Sequence, residues 1–411
     1  MENFLAKAKA ASRVVAQLRG EVKNRILHDV ADALEAKSDA IIAENAQDME
    51  AGKRDGLSLA MLDRLLLDNK RIHAMAQALR EIASLKEPVG RVLDGWVTDH
   101  GLRIEKVSVP IGVVAIIYES RPNVTSDAAA LCLKSGNVAL LKGGKEAERS
   151  NRIIAQIFQD ILVRHGLPAE AVSLFPDTSR EGVARLIKMD RYIDLVIPRG
   201  GEALIRFVNE HATMPVVKHD KGLCHLYIDR YANQEMALSI AVNAKCQRPG
   251  VCNAMETLLV DEAIAVQLMP RIKELFDAQG TVMVGCAKSA AMLGIKEASE
   301  EDFHTEWLDN KMSIRIVNGV DEAIAHISRY GSGHSEAIIT ENYSHAQRFL
   351  DGVDAACVYV NASTRFTDGG EFGFGAEVGI STNKLHARGP MGINDLTTYK
   401  YKIYGNGQTR A

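Results

Sequence analysis

Apolar residues recur at helical spacing through roughly the first fifth of the chain. In 21–43 they fall close to a 3.6-residue period, and a second such run covers 61–85 before Pro88 and Gly90 interrupt it. This pattern predicts that residues 3–84 are helical. In 91–109 the chain instead alternates apolar and polar residues around a turn candidate at 99–101, which predicts a β-hairpin. The hairpin has no long apolar face, so we expect it on a surface or against a partner subunit.

From residue 110 onward, short β-branched runs alternate with helical patterns. The predicted strands lie at 113–117, 138–141, 172–175, 195–197, 226–228, 258–260, 282–285, 313–317, 336–339 and 357–360. The predicted helices lie at 124–135, 146–165, 179–189, 201–210, 233–247, 262–278 and 321–329. A strand–helix rhythm of this kind predicts parallel sheets covered by helices, and its length predicts two α/β domains.

Composition excludes several classes of function. The chain has 411 residues and a net charge of −4, without the basic surplus of a nucleic-acid-binding protein. No apolar run reaches the length of a membrane span, and the first residues lack the core of a signal peptide. The six cysteines show neither C-x-x-C pairs nor zinc-site spacing, so we expect no metal, a reducing compartment and a cytoplasmic location.

Cys252 is the most informative single residue. It follows a turn candidate at Pro249-Gly250 and precedes the apolar run 258–260, which would place its sulfur at the lip of a structured element. A thiolate there could carry covalent catalysis. The alternative is a packing role, because most free cysteines are small buried apolar residues.

Two glycine-containing segments each follow a predicted strand and open a helix. They are Lys142-Gly143-Gly144-Lys145 and Arg199-Gly200-Gly201. Glycine lets a backbone approach a ligand closely, and amides at a helix start can face a phosphate, so both segments fit a nucleotide site. Each also fits an ordinary strand-to-helix turn, since neither is a G-x-G-x-x-G fingerprint.

Taken together, the motifs resemble the γ-glutamyl phosphate reductases, the proline-biosynthesis branch of the aldehyde dehydrogenase superfamily. The segments that carry the resemblance are 118–124, 140–145, 197–201, 247–253, 317–339, 371–382 and 386–397. They span nearly the whole chain and occur in the order that the family shows. The resemblance implies an aldehyde-dehydrogenase-like fold with two parallel-sheet α/β domains and a small β oligomerisation hairpin.

The resemblance also implies a division of labour along the chain. An NADPH-binding domain would comprise 1–88, 110–225 and about 361–387, and the catalytic domain would be 226–360. A homo-oligomerisation unit would join 89–109 to 388–411, where 396–404 has the pattern of a strand. The resemblance leaves open whether glutamate 5-kinase contacts the enzyme and hands over the unstable acyl phosphate.

The implied reaction is the reduction of L-glutamate 5-phosphate by NADPH to the 5-semialdehyde and phosphate. Cys252 would attack the acyl carbon to form a thioester, and Asn123 would match the asparagine that stabilises the oxyanion. Lys142 would match a lysine that contacts the adenosine ribose. At Lys145 the NAD-using relatives commonly carry a glutamate, and a lysine would attract the 2′-phosphate of NADPH.

Further expectations concern the substrate and the fate of the thioester. Arg121, Arg365 and His334 are candidates for binding the substrate anions, and Glu119 for its ammonium group. Hydrolytic aldehyde dehydrogenases carry a glutamate base where this chain has Lys218 or His219, so the thioester should resist water. Three alternatives remain open: an aldehyde dehydrogenase that makes acids, a non-catalytic scaffold with the same fold, and a cysteine hydrolase.

Overall fold

The computed structural model describes residues 1–217 and 221–410. Its helices are α1 Glu2–Val15, α2 Gly20–Ala36, α3 Ser38–Arg54, α4 Leu59–Leu65, α5 Asn69–Ser84, α6 Pro122–Lys134, α7 Glu148–Arg164, α8 Arg180–Leu186, α9 Glu202–His211, α10 Gln234–Cys246, α11 Glu262–Ala278, α12 Ala287–Leu293, α13 Glu300–Phe303, α14 Gly319–Tyr330 and α15 Tyr343–Gly352. Its strands are β1 Val92–Val97, β2 Arg103–Pro110, β3 Val113–Tyr118, β4 Val138–Lys142, β5 Val172–Leu174, β6 Leu195–Arg199, β7 Cys224–Ile228, β8 Met255–Asp261, β9 Val282–Gly285, β10 Lys296–Glu297, β11 Lys311–Val317, β12 Ser335–Ile339, β13 Cys357–Val360, β14 Ile380–Ser381, β15 Gly389–Pro390 and β16 Thr397–Tyr404.

Two parallel sheets form the body of the molecule, which confirms the predicted α/β fold. The first has the order β5-β4-β3-β6, and the second has the order β10-β9-β11-β8-β7-β12-β13. Strands β3, β7 and β8 are buried along their whole length, as expected for β-branched and leucine-rich runs covered by helices on both faces. Every strand and helix predicted between 113 and 360 has a counterpart whose ends shift by no more than three residues.

The stretch 21–43 is helical, as predicted, but the structure divides it into two helices at Lys37. Helix α2 ends at Ala36 and α3 begins at Ser38. The two halves serve different neighbours: α2 packs mainly on α5, whereas α3 packs mainly on α7. The chain must therefore change direction, and a periodic apolar pattern does not show that change.

The second predicted run, 61–85, is also divided, between Leu65 and Asn69. The buried amide of Asn45 stabilises the break. It donates to the carbonyl of Leu65 and accepts from the backbone N–H of Leu67, both at 2.8 Å. Asp68 then caps α5 by accepting from the N–H of Arg71. The side chain that hydrogen-bonds to the backbone at this break comes from another helix, α3. Local periodicity therefore could not reveal the break.

The hairpin prediction is confirmed, and the hairpin gains a third strand. Strand β1 pairs with β2 around a turn at 98–102, and the C-terminal strand β16 pairs antiparallel with the other edge of β2. Several large apolar side chains stay exposed on β1 and β16, among them Val97 at 66% and Ile403 at 60%. This small sheet therefore offers apolar surface that the chain itself does not cover.

The apolar cores follow the two parallel sheets. One buried cluster draws its members from 5–217 and from 378–396, and two others draw theirs from within 226–353. The C-terminal residues Met391, Ile393 and Leu396 belong to the first cluster, so the chain returns to the first sheet before it enters β16.

Candidate active site

Cys252 lies in the loop between α10 and β8, at the amino end of the second sheet. This is the first crossover of that sheet, since β7 and β8 are neighbouring parallel strands, and the sequence predicts this position. Facing groups come from the carboxyl end of the first sheet, where β3 and β6 lie side by side and pair Tyr118 with Arg199. The site thus forms where the end of one sheet meets the start of the other.

A very close backbone approach fixes the Cys252 loop. A Cβ added at Gly222 would lie 1.9 Å from the carbonyl oxygen of Cys252 and 2.4 Å from its Cα, so only glycine fits there. The amide of Gly222 donates to Glu306 at 2.8 Å, and the sulfur of Cys224 donates to the same Cys252 carbonyl at 3.2 Å. The backbone of the candidate nucleophile is therefore held from one side by the residues that lead into β7.

Asn253 holds the loop from the other side. Its side-chain nitrogen donates to the carbonyl of Thr367 at 2.8 Å, and its own carbonyl accepts from the hydroxyl of Thr364 at 2.7 Å. Both threonines belong to the segment that follows β13, so three separate parts of the chain meet at the sulfur. Such fixed geometry is what a positioned nucleophile requires.

The Cys252 side chain is only partly exposed, and burial raises the pKa of its thiol to about 11. The guanidinium of Arg199 opposes this effect by favouring the thiolate, while Glu377 and Glu306 reinforce the rise. The thiol is therefore protonated at neutral pH in the absence of other molecules. A nucleophilic role requires an acceptor for that proton.

Arg199 is the cationic group with the largest electrostatic effect on this thiol. It is half-buried at the end of β6, and its side chain packs against Gly379, where a Cβ would meet its Nη1 at 2.9 Å. Within the described residues its guanidinium makes no hydrogen bond or ion pair. An unpaired guanidinium beside a candidate nucleophile is suited to an anionic ligand.

Two more arginines that the sequence singled out, Arg121 and Arg365, also favour ionisation of Cys252 through their charges. The Nε of Arg365 donates to Gln247 at 2.9 Å, whereas Arg121 lies just before α6. Burial and neighbouring arginines, including Arg199, lower the pKa of Arg121. Several cations held together against their mutual repulsion indicate a site for an anion.

Asn123 is exposed in the first turn of α6, whose N-terminus follows Arg121. Its Nδ2 donates to Asp127, one helical turn later, at 3.1 Å. Burial raises the pKa of Asp127 to about 6, and Arg199 partly offsets that rise. Because the charge of Arg199 acts on both Cys252 and Asp127, the predicted catalytic pair and Asp127 belong to one electrostatic neighbourhood.

His334, predicted to bind a substrate anion, is fully buried behind the Cys252 loop. Its Nδ1 contacts the hydroxyl of Ser335 at 2.8 Å and the sulfur of Cys224 at 3.6 Å. The structure thus brings His334 to the support of the loop and not to its open side. His225 and His326 are buried with their rings 5.3 Å apart, and burial lowers the pKa of His326 to about 2.

The glycine segment after β4 lies where backbone and ligand could meet closely. A Cβ at Gly143 would lie 2.1 Å from the Asn151 side chain. Both Gly143 and Gly144 line a cavity of 240 Å³ together with residues that follow β5, including Thr178. Lys142 is buried and donates to the carbonyl of Thr178 at 3.0 Å, whereas Lys145 is exposed. These are the dimensions and the position of a site for part of a nucleotide.

The second glycine segment is occupied by a carboxylate of the chain itself. Glu119 accepts from the amide of Gly201 at 2.9 Å, at the start of α9, and a Cβ at Gly200 would lie 2.6 Å from the same carboxylate. The structure therefore places Glu119 on the predicted phosphate-binding amides, and these two predictions concern one place. A pyrophosphate there would have to displace this carboxylate.

The predicted absence of a glutamate base rests on Lys218 and His219, which lie outside the described residues. Among 1–217 and 221–410, no group of three or more His, Cys, Asp or Glu residues could hold a metal ion. In the same part of the chain, no helix is long and apolar enough to cross a bilayer.

Comparisons with known proteins agree with this arrangement of sheets. A model of the aldehyde dehydrogenase family matches residues 1–310. The chain is 65% identical over 411 residues to a γ-glutamyl phosphate reductase of a Nitratiruptor species, and each chain is covered to 100%. The chain belongs to the γ-glutamyl phosphate reductases of the aldehyde dehydrogenase family. It is thus an oxidoreductase of the aldehyde dehydrogenase type.

Two further relatives agree. A γ-glutamyl phosphate reductase of Sulfurimonas denitrificans is 64% identical over 410 residues, with 100% of both chains covered. The crystal structure of the γ-glutamyl phosphate reductase of Thermotoga maritima has a TM-score of 0.98 and 45% identity, covering 100% of this chain and 99% of that one. The family resemblance and the fold expected from the sequence are therefore confirmed.

Sequence reasoning missed three residues of this oxidoreductase that the structure brings to the site. Asp127 lies four residues after Asn123, which puts both on one face of α6, but the predicted helix began only at 124. Gly222 precedes a predicted strand, where a glycine is a signal for close backbone approach. Glu377 lies in the glycine-rich run 369–379 and gives no local signal, because its effect on Cys252 depends on the tertiary fold.

Proposed function

We propose that this chain catalyses the NADPH-dependent reduction of L-glutamate 5-phosphate to L-glutamate 5-semialdehyde and phosphate, a step of proline biosynthesis. The names of the relatives that match over the full chain indicate the substrate, γ-glutamyl phosphate, and the pathway is the one that the family resemblance implies. The observation that carries the mechanism is the Cys252 loop, held from two sides and facing a set of arginines with an unpaired guanidinium among the described residues.

In the proposed first half-reaction the sulfur of Cys252 forms a bond to the acyl carbon, and the bond from that carbon to the phosphate oxygen breaks. The thiol proton passes to the departing phosphate, so the step needs no separate base. This suits a thiol whose pKa is raised to about 11, because the substrate brings the proton acceptor with it. The products of the step are a thioester and hydrogen phosphate.

The arginines supply the charge for this step. The guanidinium of Arg199 acts electrostatically on the sulfur and has no hydrogen-bond partner within the described residues, so we assign it to the phosphate of the substrate. Arg121 and Arg365 also interact electrostatically with Cys252, and we assign them to the carboxylate. From its sequence neighbours we expected Arg199 to contact the cofactor. We assign it instead to the reacting group of the substrate.

Asn123 stabilises the negative charge that develops on the acyl oxygen. Its side-chain nitrogen has a second N–H beyond the one given to Asp127, and it stands exposed at the start of α6. A donor of this kind is worth ~100-fold or more in rate.

The residues around the 240 Å³ cavity fit the adenosine end of a dinucleotide. Gly143 and Gly144 allow close contact, Lys142 lies at the cavity's edge, and the exposed Lys145 stands ready for a 2′-phosphate. NADPH, when bound, supplies the hydride that reduces the thioester carbonyl to the aldehyde. On release of the aldehyde Cys252 regains one proton from solvent, which balances the reaction.

The core clusters support the proposed division into a nucleotide unit and a catalytic unit, since none of them draws buried residues from both sheets. The exposed apolar residues of β1 and β16 support an oligomer of identical chains built through the small sheet. We place Glu119 at the α9 amides in the free enzyme, a position that does not fit the predicted contact with the substrate ammonium.

The decisive experiment follows NADP reduction from glutamate semialdehyde with and without inorganic phosphate. The proposal expects activity only with phosphate, and none in Cys252→Ala, which should still bind NADPH. Cys246→Ala is the matched control, because Cys246 is half-buried at the end of α10 and its sulfur hydrogen-bonds to Thr281, away from the Cys252 loop. Phosphate-independent oxidation would instead support an acid-forming aldehyde dehydrogenase.

A further inference from the structure

Asp127 is a partly buried carboxyl group that the proposed reaction does not use. It forms no ion pair within the described residues, although burial of a carboxylate is costly without one. Its hydrogen-bond partners are the Nδ2 of Asn123 at 3.1 Å and the hydroxyl of Ser126 at 3.4 Å. The shorter of these contacts is to the amide that the proposed function assigns to the oxyanion.

The buried face of α6 fixes the orientation of the Asn123 and Asp127 side chains. Thr125 is fully buried; its hydroxyl bonds to Tyr118 on β3 at 2.7 Å and to Asn151 on α7 at 2.9 Å. Asn123 and Asp127 flank Thr125 at two residues on either side, so they lie one turn apart on the other face of the helix. The rotation of α6 is therefore set by a buried hydrogen-bond chain, which keeps Asn123 and Asp127 on the face away from that chain, where the charge of Arg199 acts on Asp127.

An asparagine amide can rotate by 180°, which exchanges its oxygen and its nitrogen. An ionised carboxylate only accepts hydrogen bonds, so it selects the orientation in which nitrogen faces it. With the oxygen facing it, the two acceptors would repel each other. The selected orientation leaves the second N–H of the same nitrogen free.

We propose that Asp127 is a positioning residue, whose carboxylate fixes the Asn123 amide so that its second N–H is directed at the acyl oxygen that develops charge when Cys252 attacks. This inference rests on the proposed function for the role of Asn123. It adds a residue that acts through Asn123 and touches neither substrate nor cofactor.

The protonation state of Asp127 controls this selection. The groups that act on it are Asn123 and Ser126 on its own helix and Arg199 at the end of β6, all of which favour the carboxylate, against burial, which raises its pKa to about 6. Below that pH the protonated carboxyl can donate to the amide oxygen, so the selection is lost. The rate should therefore fall as the pH drops through about 6.

The test measures acylation of Cys252 by p-nitrophenyl acetate, an acyl donor that needs neither NADPH nor the native substrate. The sulfur bonds to the acetyl carbon, p-nitrophenolate leaves, and the thiol proton goes to solvent. The pre-steady-state burst of p-nitrophenolate gives the rate, and Cys252→Ala gives the background. This readout remains valid if the enzyme proves to have another substrate, so the two proposals can fail separately.

Four proteins complete a double-mutant cycle: wild type, Asn123→Ala, Asp127→Asn, and the double variant. We expect a ~100-fold slower burst in Asn123→Ala, ~10-fold or more in Asp127→Asn, and no further loss in the double variant. Protonation of the Cys252 thiol lowers the rate steadily with falling pH in every variant. The acid limb due to Asp127 is the additional fall near pH 6, and it should disappear in Asp127→Asn, which does not titrate. Thermal stability should not fall in Asp127→Asn, since a costly buried charge is removed, and Asp127→Glu should restore part of the rate.

Additive losses in the double variant would show that Asp127 does not act through Asn123. An unchanged burst rate or a retained acid limb in Asp127→Asn would equally overturn the proposal. A burst cycle as expected, combined with no phosphate-dependent NADP reduction, would keep the role of Asp127 and overturn the substrate.

Discussion

The two sides of the site satisfy their charges in opposite ways. On the side of the second sheet, polar groups pair with one another: Lys245 and Glu256 are both fully buried and lie 2.8 Å apart, just before and after the Cys252 loop. On the side of the first sheet, Arg199 has no such partner among the described residues, and Asn123 is exposed. The side of the second sheet satisfies its own charges. The side of the first sheet leaves a guanidinium and an exposed side-chain amide available to a ligand.

The difference indicates what each side is for. A nucleophile must be held still, and buried charge pairs and close backbone contacts cost stability if disturbed. A ligand site must keep donors and cations unsatisfied until the ligand arrives. Substitutions on the side of the second sheet should therefore have the largest effects.

The largest effect is expected from Lys245→Met. Removing the only cation within hydrogen-bond reach of Glu256 among the described residues leaves a buried carboxylate unpaired, which should lower the free energy of unfolding by about 3–5 kcal/mol. Urea denaturation followed by circular dichroism measures it. Lys273→Met is the control, because its ion pair with Asp277 is on the surface and should cost little.

The pH dependence of this variant has a definite sign. Burial raises the pKa of Glu256 to about 7, above its usual 4.5, so the folded chain binds a proton more tightly than the unfolded chain. The contribution to stability therefore falls as the pH rises from about 4.5 to 7. Lys245 favours the carboxylate, so without it the pKa of Glu256 should rise further and the fall in stability should extend to higher pH. A stability of Lys245→Met that rises over this range would contradict the assignment.

The second-largest effect is expected from Gly222→Ala, which disturbs a backbone contact and not a charge. In Gly222→Ala the new methyl group must displace Cys252, and a shift of ~1 Å in a nucleophile can cost ~100-fold in rate. Phosphate-dependent NADP reduction should show this loss in kcat. Gly250→Ala is the control, since its Cβ would meet only the Leu308 carbonyl at 3.4 Å and should retain most activity. Equal losses in both variants would remove the special role of Gly222.

The sequence predicted the side of the site at the second sheet less well than the side at the first sheet. The order of strands and helices and the position of Cys252 follow from periodicity and local turns, which a sequence contains. The support of Cys252 depends on segments distant in the chain, and Asn253 and Thr367, which hold one another, are more than a hundred residues apart. Long-range backbone contacts leave no periodic trace, so they could not be predicted.

The first side shows the reverse limitation. Its chemistry-bearing residues were predicted, but their partners were not: Glu119 was expected at the substrate and lies on the amides of α9, and Arg199 was expected at a cofactor and lies beside the sulfur. A residue type indicates which chemistry is available. The direction of a long side chain is decided by its tertiary neighbours.

A smaller effect is expected from Lys145→Glu. If the exposed Lys145 contacts the 2′-phosphate, the change should weaken NADPH binding by about 10-fold or more and leave NADH binding nearly unchanged, since a charged hydrogen bond contributes ~1.5–3 kcal/mol. Fluorescence titration with each cofactor measures the ratio. Lys296→Glu, at the far edge strand of the second sheet, controls for net charge. An unchanged preference would remove Lys145 from the cofactor site.

The smallest effect, and the sharpest test of the contrast, is on the thiol itself. Arg199 lowers the pKa of Cys252 against the rise caused by burial, so Arg199→Gln should raise that pKa further, by about one unit. Because only the thiolate reacts with iodoacetamide, alkylation between about pH 7 and 10 should slow by about tenfold at each pH. Arg185→Gln, whose surface partner is Asp177, should not change the rate. If alkylation in Arg199→Gln kept the wild-type rate, the guanidinium would be too remote from Cys252 to hold the phosphate. The side of the first sheet would then lack the cation on which its proposed role in ligand binding depends.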